Sequence, residues 1–388
     1  MISVCIANYN GIGMIDACID SVRRQDCAAT VEIIVHDDAS TDGSVAHIRS
    51  CHPGVRLIEG AANAGFCVAN NRMAAAAQGE YLLLLNNDAT LMPGALEALI
   101  DESGRLGRHA VLTLPQYDAE TDELLDMGSM LDLFLNPVPN RDPARGEVGT
   151  VHGACLWIPK SLWQELGGFP EWFGSVAEDL YLCCRARLAG HPVRALGVSG
   201  YRHRVGASFG GGKAQAGRLV TTFRRRALSE RNKTFVMAIC YPTPFLQLML
   251  PLHLLELLAE GTLLSLLRLD SGYLARVYLP VIVALLQRRR EIAEAVAALR
   301  RLDVGDVGGE HQLVLVGQGL EGLDRLGLGD LLLERTGLHR GLLARGRGFR
   351  HHGFLPLPEF PITVGAPVQS RGTLARADGA GALYFTRA

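Results

Sequence analysis

The sequence predicts an α/β protein built on a parallel sheet with helices on both faces. Short apolar runs alternate with helical patterns over the first ninety residues, and polar residues follow directly on three of these runs. The length of 388 residues allows a core domain with an appended region. Together these observations indicate strands and helices that alternate along the chain, which is the pattern of a parallel sheet.

The apolar runs are short and closely flanked by polar residues, as expected of strands that are buried on both faces. The clearest run contains four consecutive leucines. The predicted strands are Ile2 to Ala7, Glu32 to Val35 and Tyr81 to Leu85, with Val55 to Ile58 as a further candidate.

Helical spacing of apolar residues predicts the intervening helices. The first helix is marked by Met14, Ile15, Cys18, Ile19 and Val22. The alanine-rich segment Ala64 to Ala77 predicts a second helix, which Gly79 ends. Ala177 to Leu188 predicts a third, which ends at Gly190.

Polar side chains stand where three predicted strands end. They are Asn8, the pair Asp37 and Asp38, and the run Asn86-Asn87-Asp88. In parallel α/β sheets, ligands bind beyond the carboxyl ends of the strands. The sequence therefore predicts one crevice lined by amides and carboxylates.

Two of these carboxylates have alternative interpretations. Asp88 follows a buried strand, where it could bind a magnesium or manganese ion or could begin a turn. Asp37 could accept a hydrogen bond from a nucleobase or a ribose, or could belong to a capping turn. A calcium loop starting at Asp38 is excluded, because Arg49 stands where the bidentate Glu is required.

The predicted third helix begins with Glu178 and Asp179. Acidic residues in a first turn stabilise the helix dipole, and a carboxylate there could also accept a proton from an attacking hydroxyl. His203 lies between two arginines, so it could bind a metal or contact phosphate. The run Arg224 to Arg226 is interpreted as a solvated basic face.

Composition excludes some classes of protein. There are 38 basic and 40 acidic residues, and this balance argues against a nucleic-acid partner. The nine cysteines form no C-x-x-C pair, which indicates a reduced, cytoplasmic compartment. No targeting segment is predicted before the first strand.

Leucine-rich stretches follow from about Phe235. Phe245 to Leu267 is interrupted by Glu256 and Glu260, which predicts an amphipathic helix rather than a spanning one. Tyr273 to Leu286 predicts a second helix. Two interpretations remain open, namely a helical pair packed on the core and peripheral contact with a membrane surface.

Taken together, the motifs resemble glycosyltransferase family 2, enzymes of the GT-A fold, and especially its bacterial rhamnosyltransferase-like branch. The resemblance covers Ile2 to about Asn232, in matching order and spacing. The matching segments are Val4 to Asn10, Asp37 to Ser44, Asn63 to Phe66 with Asn70, Asn86 to Ala89 with Pro93 and Gly94, Gly153 to Cys155, Gly167 to Phe169, Glu178-Asp179, and His203 with Ser208.

The resemblance implies a donor site for a nucleoside-diphosphate sugar. Asp37 would contact the nucleobase, with Asn8 and Asn63 near it. Asn86 occupies the first position of the D-x-D metal motif of the family. Arg231 would contact the diphosphate.

The resemblance also implies an inverting transfer that depends on a divalent metal, Mg or Mn. Asp88 and His203 would hold the metal, and Asp179, beside Glu178, would be the catalytic base. Three residues depart from the family pattern: Asn86 replaces the first Asp of D-x-D, Pro170 follows Gly167 to Phe169, and Tyr181 stands where a further Asp is usual.

The implied setting is cell-surface polysaccharide synthesis, with a glycan or lipid-linked acceptor. The protein would be cytoplasmic or would lie at the inner face of the cytoplasmic membrane. The expected domains are a GT-A catalytic domain at 1–232, divided into a nucleotide-binding half at 1–100 and an acceptor half at 101–232, an amphipathic helical region at 233–302, and a Gly/Leu/Arg-rich region at 303–388 to which no role is assigned.

Two other functions remain as alternatives. A non-catalytic GT-A-like scaffold is compatible with Pro170 and Tyr181. A dinucleotide-binding oxidoreductase is suggested by Gly11-Ile12-Gly13 after the first strand, but its third glycine position holds Asp16.

Overall fold

The computed structural model describes residues 1–206, 211–215, 218–302 and 382–386. Its strands are β1 (Ile2–Asn8), β2 (Val31–Asp37), β3 (Arg56–Glu59), β4 (Tyr81–Asn86), β5 (Ala89–Leu91), β6 (Val111–Thr113), β7 (Gln116–Asp118), β8 (Leu124–Asp126), β9 (Ser129–Leu131), β10 (Pro137–Pro139), β11 (Cys155–Pro159), β12 (Val193–Ala195), β13 (Tyr201–His203), β14 (Gly211–Gln215), β15 (Arg218–Thr222) and β16 (Ala382–Thr386). Its α-helices are α1 (Ile15–Arg23), α2 (Ser44–Cys51), α3 (Phe66–Ala76), α4 (Ala95–Leu106), α5 (Lys160–Leu166), α6 (Glu178–Leu188), α7 (Phe223–Cys240), α8 (Thr243–Arg268), α9 (Leu279–Gln287) and α10 (Arg289–Leu302). A 3₁₀ turn covers Glu171–Phe173 and a π-helical turn covers Leu274–Tyr278.

A seven-stranded sheet forms the centre, in the order β12-β6-β11-β4-β1-β2-β3. Strand β1 is parallel to both of its neighbours, β2 and β4, whereas β11 is antiparallel to β4 and β6. The register sets Asn8 opposite Asp37, and Ala7 opposite Asn86. The sheet is therefore mostly parallel, and the polar ends of β1, β2 and β4 lie side by side.

The leucines of β4 serve both faces of this sheet. Leu83 and Leu85 pack in one hydrophobic core with residues of α1 and α4. Leu82 and Leu84 pack in the other core with residues of α3, α5, α6 and α7. Because side chains alternate along a strand, an uninterrupted apolar run fills both cores, as the sequence predicts.

A smaller sheet, in the order β5-β13-β7-β8, adjoins the carboxyl edge of the central sheet. Strand β13 pairs antiparallel with β5, and His203 stands opposite Ala89. This pairing joins segments that are more than a hundred residues apart in sequence. It brings His203 next to Asp88.

Helix α7 runs without a break through position 232, where the sequence analysis set a domain boundary. Its buried residues Phe235, Val236 and Met237 belong to the same core as α6. Helix α8 then packs on the π-helical turn, where Gly261 approaches Tyr278 too closely to allow a larger side chain. The expected division at 232 stays a prediction, as does that at 303. Most of 303–388 lies outside the described residues.

Among the described residues, α8 is the one helix that is long and apolar enough to cross a membrane by length and composition. Only 17% of its most apolar 18-residue window is buried. The two predicted amphipathic helices are present. Their buried sides pack on the protein, and much of the apolar surface of α8 is exposed.

Candidate active site

A chain of hydrogen bonds links the ends of the three central strands. Asn8 Nδ2 donates to Asp37 Oδ2 over 2.8 Å, and Asn87 Nδ2 donates to Asn8 Oδ1 over 2.8 Å. Ser40 donates to the Asp37 carboxylate through its backbone N–H (2.8 Å) and its hydroxyl (2.7 Å). The predicted donor residues Asn8 and Asp37 are therefore adjacent, buried and held in place.

Gly11 lies directly against this chain. A Cβ atom at Gly11 would overlap Asn87 Nδ2 and Asn8 Oδ1. Close packing against these two amides therefore explains why a glycine follows β1, and no bound dinucleotide is needed to explain it. Asp16 stands at the third glycine position of the dinucleotide-binding pattern, and its carboxylate pairs with two histidines, His47 and His52.

The loop that carries Asn63 is anchored to the end of β2. Asp38 accepts hydrogen bonds from the backbone N–H groups of Ala64 and Gly65, each over 2.8 Å. Asn63 itself is exposed on this loop. Asn86, the last residue of β4, is partly buried.

Asp88 is buried and pairs with the partly buried His203, with 3.1 Å between Asp88 Oδ1 and His203 Nε2. The backbone N–H of Arg204 donates to the carbonyl of Asp88 over 3.0 Å, which fixes the two segments together. His203 Nδ1 is buried and has no hydrogen-bond partner within the described ranges. A carboxylate oxygen this close to an imidazole nitrogen is a donor set that fits a divalent cation.

The first turn of α6 presents the two predicted catalytic carboxylates. Asp179 Oδ2 accepts a hydrogen bond from Gly153 N over 2.9 Å, and Asp179 Oδ1 accepts one from Leu180 N over 2.8 Å. Glu178 is only 6% exposed. Burial, together with the charge of Asp179, raises the pKa of Glu178 to about 8. At neutral pH Glu178 is therefore an uncharged acid.

Arg225 is a site residue that the sequence analysis did not identify. It lies in the first turn of α7, where its backbone N–H donates to the Thr222 hydroxyl over 3.2 Å. Burial lowers the pKa of Arg225, and the charges of Glu178, Asp179 and Asp88 act against that decrease. The charges of all three carboxylates of the site therefore act on this guanidinium.

The orientation of α7 about its own axis explains why the three arginines do not form one solvated face. Of the three arginines interpreted as a solvated basic face, Arg224 is exposed, but Arg225 and Arg226 are half-buried. Arg226 pairs with Glu230 over 3.0 Å and with Glu260 over 3.1 Å. A capping Thr three residues before Arg225 is a signal that could have fixed this phase.

Arg231 and Asn232 hold the loop that precedes α6. Arg231 Nη2 donates to the carbonyl of Phe173 over 2.7 Å. The buried Asn232 Nδ2 donates to the carbonyls of Ser175 (3.0 Å) and Val176 (2.7 Å). Val176 has a φ of 72°, which is unfavourable for a β-branched residue. The described contacts of Arg231 thus stabilise this strained loop. The role of Arg231 at a diphosphate stays a prediction.

A second cluster with metal-ligand chemistry lies on α1 and α2. The ligand atoms of Asp16, His47 and His52 lie within 4.8 Å of one another. However, Arg23 Nη1 is 2.8 Å from His52 Nδ1. An arginine can only donate, so Nδ1 accepts, and the ring proton is on Nε2, which donates to Asp16. The cluster therefore joins two helices through hydrogen bonds.

Comparison with known proteins identifies a family domain in this chain. Residues 3–167 match the family described as Glycosyl transferase family 2. The chain is 27% identical over 190 residues to N-acetylglucosaminyl-diphospho-decaprenol L-rhamnosyltransferase from Mycobacterium tuberculosis, a match that covers 41% of this chain and 62% of the relative. It is 33% identical over 107 residues to succinoglycan biosynthesis protein ExoO from Rhizobium meliloti, covering 27% of this chain and 30% of that protein. The matches thus span less than two thirds of these relatives.

Among solved structures, the chain is similar to Staphylococcus aureus TarS in complex with UDP, at 16% identity and a TM-score of 0.47, covering 87% of this chain and 92% of that chain. It is also similar to the mannosyltransferase PcManGT from Pyrobaculum calidifontis in complex with GDP-Man and Mn2+, at 19% identity and a TM-score of 0.46, covering 82% of this chain and 86% of that one. The family match and the mostly parallel sheet confirm the predicted GT-A fold with a helical extension.

Proposed function

Because residues 3–167 form a glycosyl transferase family 2 domain, we propose that this chain transfers a sugar from a nucleoside-diphosphate donor to an acceptor hydroxyl. The observation that carries the proposal is a set of positioned carboxylates: Asp88 lies 3.1 Å from His203, and Asp179 accepts a hydrogen bond from Gly153 N over 2.9 Å. Asp88 adjoins strand ends whose amides are already fixed by hydrogen bonds. Carboxylates at this edge, together with the positive charge of Arg225, suit a substrate that carries both a diphosphate and a reacting hydroxyl.

The donor would bind along the carboxyl edge of β1, β2 and β4. Asn8 and Asp37 are suited to the nucleobase and ribose, and Asn63 and Asn86 would contribute further polar contacts. The diphosphate would lie against the guanidinium of Arg225, because planar guanidinium groups bind phosphate oxygens through paired hydrogen bonds.

Asp88 and His203 would hold a divalent metal, Mg or Mn. When bound, such an ion would supply neutralisation of the charge that develops on the departing diphosphate. The pair is suited to this task because Asp88 is buried and its Oδ1 lies 3.1 Å from His203 Nε2.

Asp179 is proposed as the general base. Its carboxylate takes the proton of the acceptor hydroxyl while the hydroxyl oxygen attacks the anomeric carbon from the side opposite the diphosphate. The bond between the anomeric carbon and the diphosphate oxygen breaks in the same step, so the anomeric configuration inverts. The neutral state of Glu178 avoids a second negative charge beside the base.

The acceptor is proposed to be a glycan or lipid-linked hydroxyl in polysaccharide synthesis at the cytoplasmic face of the membrane. The names of two relatives support this, since one acts on a decaprenol-linked sugar and the other serves succinoglycan biosynthesis. The exposed apolar side of α8 supports peripheral contact with the membrane that would carry such an acceptor.

Nucleotide binding and donor hydrolysis test the proposal together. UDP or dTDP should raise the melting temperature only in the presence of manganese, because a ligand that binds the folded state stabilises it. Asp179→Asn should keep this shift and should lose donor hydrolysis. Arg225→Gln should lose most of the shift, whereas Arg224→Gln, its exposed neighbour, should behave like the wild type.

Three outcomes would contradict the proposal in different ways. Near-normal turnover by Asp179→Asn would show that the base is another group. A shift with NAD but with neither UDP nor dTDP would indicate an oxidoreductase. The absence of any nucleotide effect or donor hydrolysis would indicate a scaffold without catalytic activity.

A further inference from the structure

A buried carboxylate, Asp126, holds the imidazole of His152 near the proposed base, and the reaction described above uses neither residue. His152 Nε2 lies 2.6 Å from Asp126 Oδ2. The Asp126 side chain is 5% exposed. It also accepts hydrogen bonds from Ser129 Oγ over 2.6 Å and from Asn140 N over 3.1 Å. The carboxylate is therefore held by three hydrogen-bond partners, one of which is His152.

His152 immediately precedes the residue that binds the proposed base. The backbone N–H of Gly153 donates to Asp179 Oδ2 over 2.9 Å. Thr150, two residues before His152, is paired through its backbone with β9. Strand β11 begins at Cys155, three residues after His152. Between these two points the side chain of His152 ties the segment to the fixed carboxylate.

The backbone at Gly153 lies in contact distance of the acidic side chains that begin α6. A Cβ atom there would lie 3.6 Å from Glu178 Oε1 and 3.7 Å from Asp179 Oδ2. The segment thus packs against both carboxylates of α6. A shift of its backbone would move the N–H group that Asp179 Oδ2 accepts from, and hydrogen bonds weaken steeply with misalignment.

We propose that His152 is a positioning residue for the base. By binding Asp126 it fixes the backbone at Gly153, and the Gly153 N–H then orients the carboxylate of Asp179 towards the acceptor hydroxyl. The inference rests on the proposed function, because it takes Asp179 as the base. It adds a buried anchor that the comparisons do not assign.

The electrostatics of the pair agree with this arrangement. Burial opposes the charged form of the imidazole, but its hydrogen bond with Asp126 and the charges of Asp126 and Asp179 outweigh that effect, so the pKa of His152 is raised. The contact is thus charge-assisted, and such hydrogen bonds are shorter and stronger than neutral ones.

The test uses hydrolysis of UDP-sugars and dTDP-sugars by the full chain with manganese, measured as released nucleoside diphosphate. His152→Ala should lower kcat about 10-fold or more, because small misplacements of a catalytic group are costly. KM for the donor and the affinity for UDP or dTDP should change less than twofold. His152→Gln, whose amide can still donate to Asp126, should recover most of the lost kcat.

Free imidazole supplies the matched control. Because the proposed role acts through the backbone, added imidazole should not restore the kcat of His152→Ala. Restoration would overturn the inference and indicate direct chemistry by the ring. A normal kcat for His152→Ala, or an equal loss in the Ala and Gln variants, would also overturn it.

The proposed function has its own separate failure. If the wild type neither binds UDP or dTDP nor hydrolyses a donor, both the function and the inference are wrong. If the wild type is active and Asp179→Asn is not, while His152→Ala is unchanged, only the inference is wrong. The melting temperature of each variant, measured by circular dichroism, shows whether a loss of activity results from loss of folding.

Discussion

At the scale of single residues, Glu178 links the site to the stability of the fold. Its pKa of about 8 in the folded protein exceeds the ordinary value of 4.5, so the folded state keeps a proton that the unfolded state releases between these pH values. Stability should therefore fall as pH rises from 5 to 8, by at most about 1.4 kcal/mol per pH unit from this group.

Glu178→Gln should remove that contribution. Relative to the wild type, the variant should become progressively more stable between pH 5 and pH 8, as measured by urea unfolding at each pH. Glu171→Gln, which replaces an exposed acid in the loop before α6, is the control and should track the wild type. Parallel curves for Glu178→Gln and the wild type would contradict the burial of a neutral acid.

Asn232 is a second residue whose effect on the site would be indirect. Asn232→Ala leaves partly buried carbonyls of the loop before α6 without their donor, which should cost about 1–3 kcal/mol in the free energy of unfolding. The loop should then relax from its strained backbone and move Asp179, so kcat for donor hydrolysis should fall.

Thr234→Val provides the comparison for that variant. The Thr234 hydroxyl is also buried in α7, but it donates to the carbonyl of Glu230 within the same helix, over 2.6 Å, and not to the loop. It should lose stability and keep kcat. Equal kcat values in the two variants would mean that Asn232 serves the fold alone.

At the scale of elements, α8 carries an exposed apolar stripe. Leu252, Leu255, Leu263 and Leu266 recur at helical spacing, and Leu255 and Leu266 are 63% and 68% exposed. Exposed arginines at 288–290 follow α9 and begin α10. An apolar stripe near basic side chains suits a bilayer that contains anionic lipid.

The full chain should therefore sediment with vesicles of phosphatidylglycerol and phosphatidylcholine, and less with phosphatidylcholine alone. Replacing Leu255, Leu263 and Leu266 together by Gln should lower the partition at least 10-fold, since each buried leucine contributes about 1.5–3 kcal/mol. Val138→Gln with Val198→Gln, exposed apolar positions elsewhere, should not. Equal partition of all proteins would exclude this face as the contact.

Elements also differ in how much of them the sequence could predict. Strands β1, β2 and β4 follow from short apolar runs, and helices α1, α3 and α6 follow from helical spacing or alanine content, because these signals are local in the sequence. Strand β11 inserts antiparallel between β4 and β6, and no local pattern specifies such a partner. Helix α7 contains several arginines, and its phase, which decides that Arg225 and not Arg224 turns inward, depends on packing against α6.

At the scale of the whole molecule, the predicted site residues come from distant parts of the chain. Asn8, Asp37 and Asn86 meet because a parallel sheet brings strand ends together, which the sequence analysis could foresee. The contact of His203 with Asp88 depends on the pairing of β13 with β5. The sequence indicates His203 as a candidate ligand, but no local pattern predicts that pairing. The link from Asp126 through His152 to Asp179 crosses three separate segments, so no single motif contains it.

The hydrogen bonds among Asn8, Asp37 and Asn87 have a consequence for folding. Each requires the native register of two neighbouring strands, and a slip by one residue would turn these side chains to the opposite face of the sheet. The crevice at the strand ends is therefore completed only when β1, β2 and β4 have all paired. A refolding chain should therefore form its proposed donor site in the same cooperative event that aligns these strands, and partly assembled forms should lack that site.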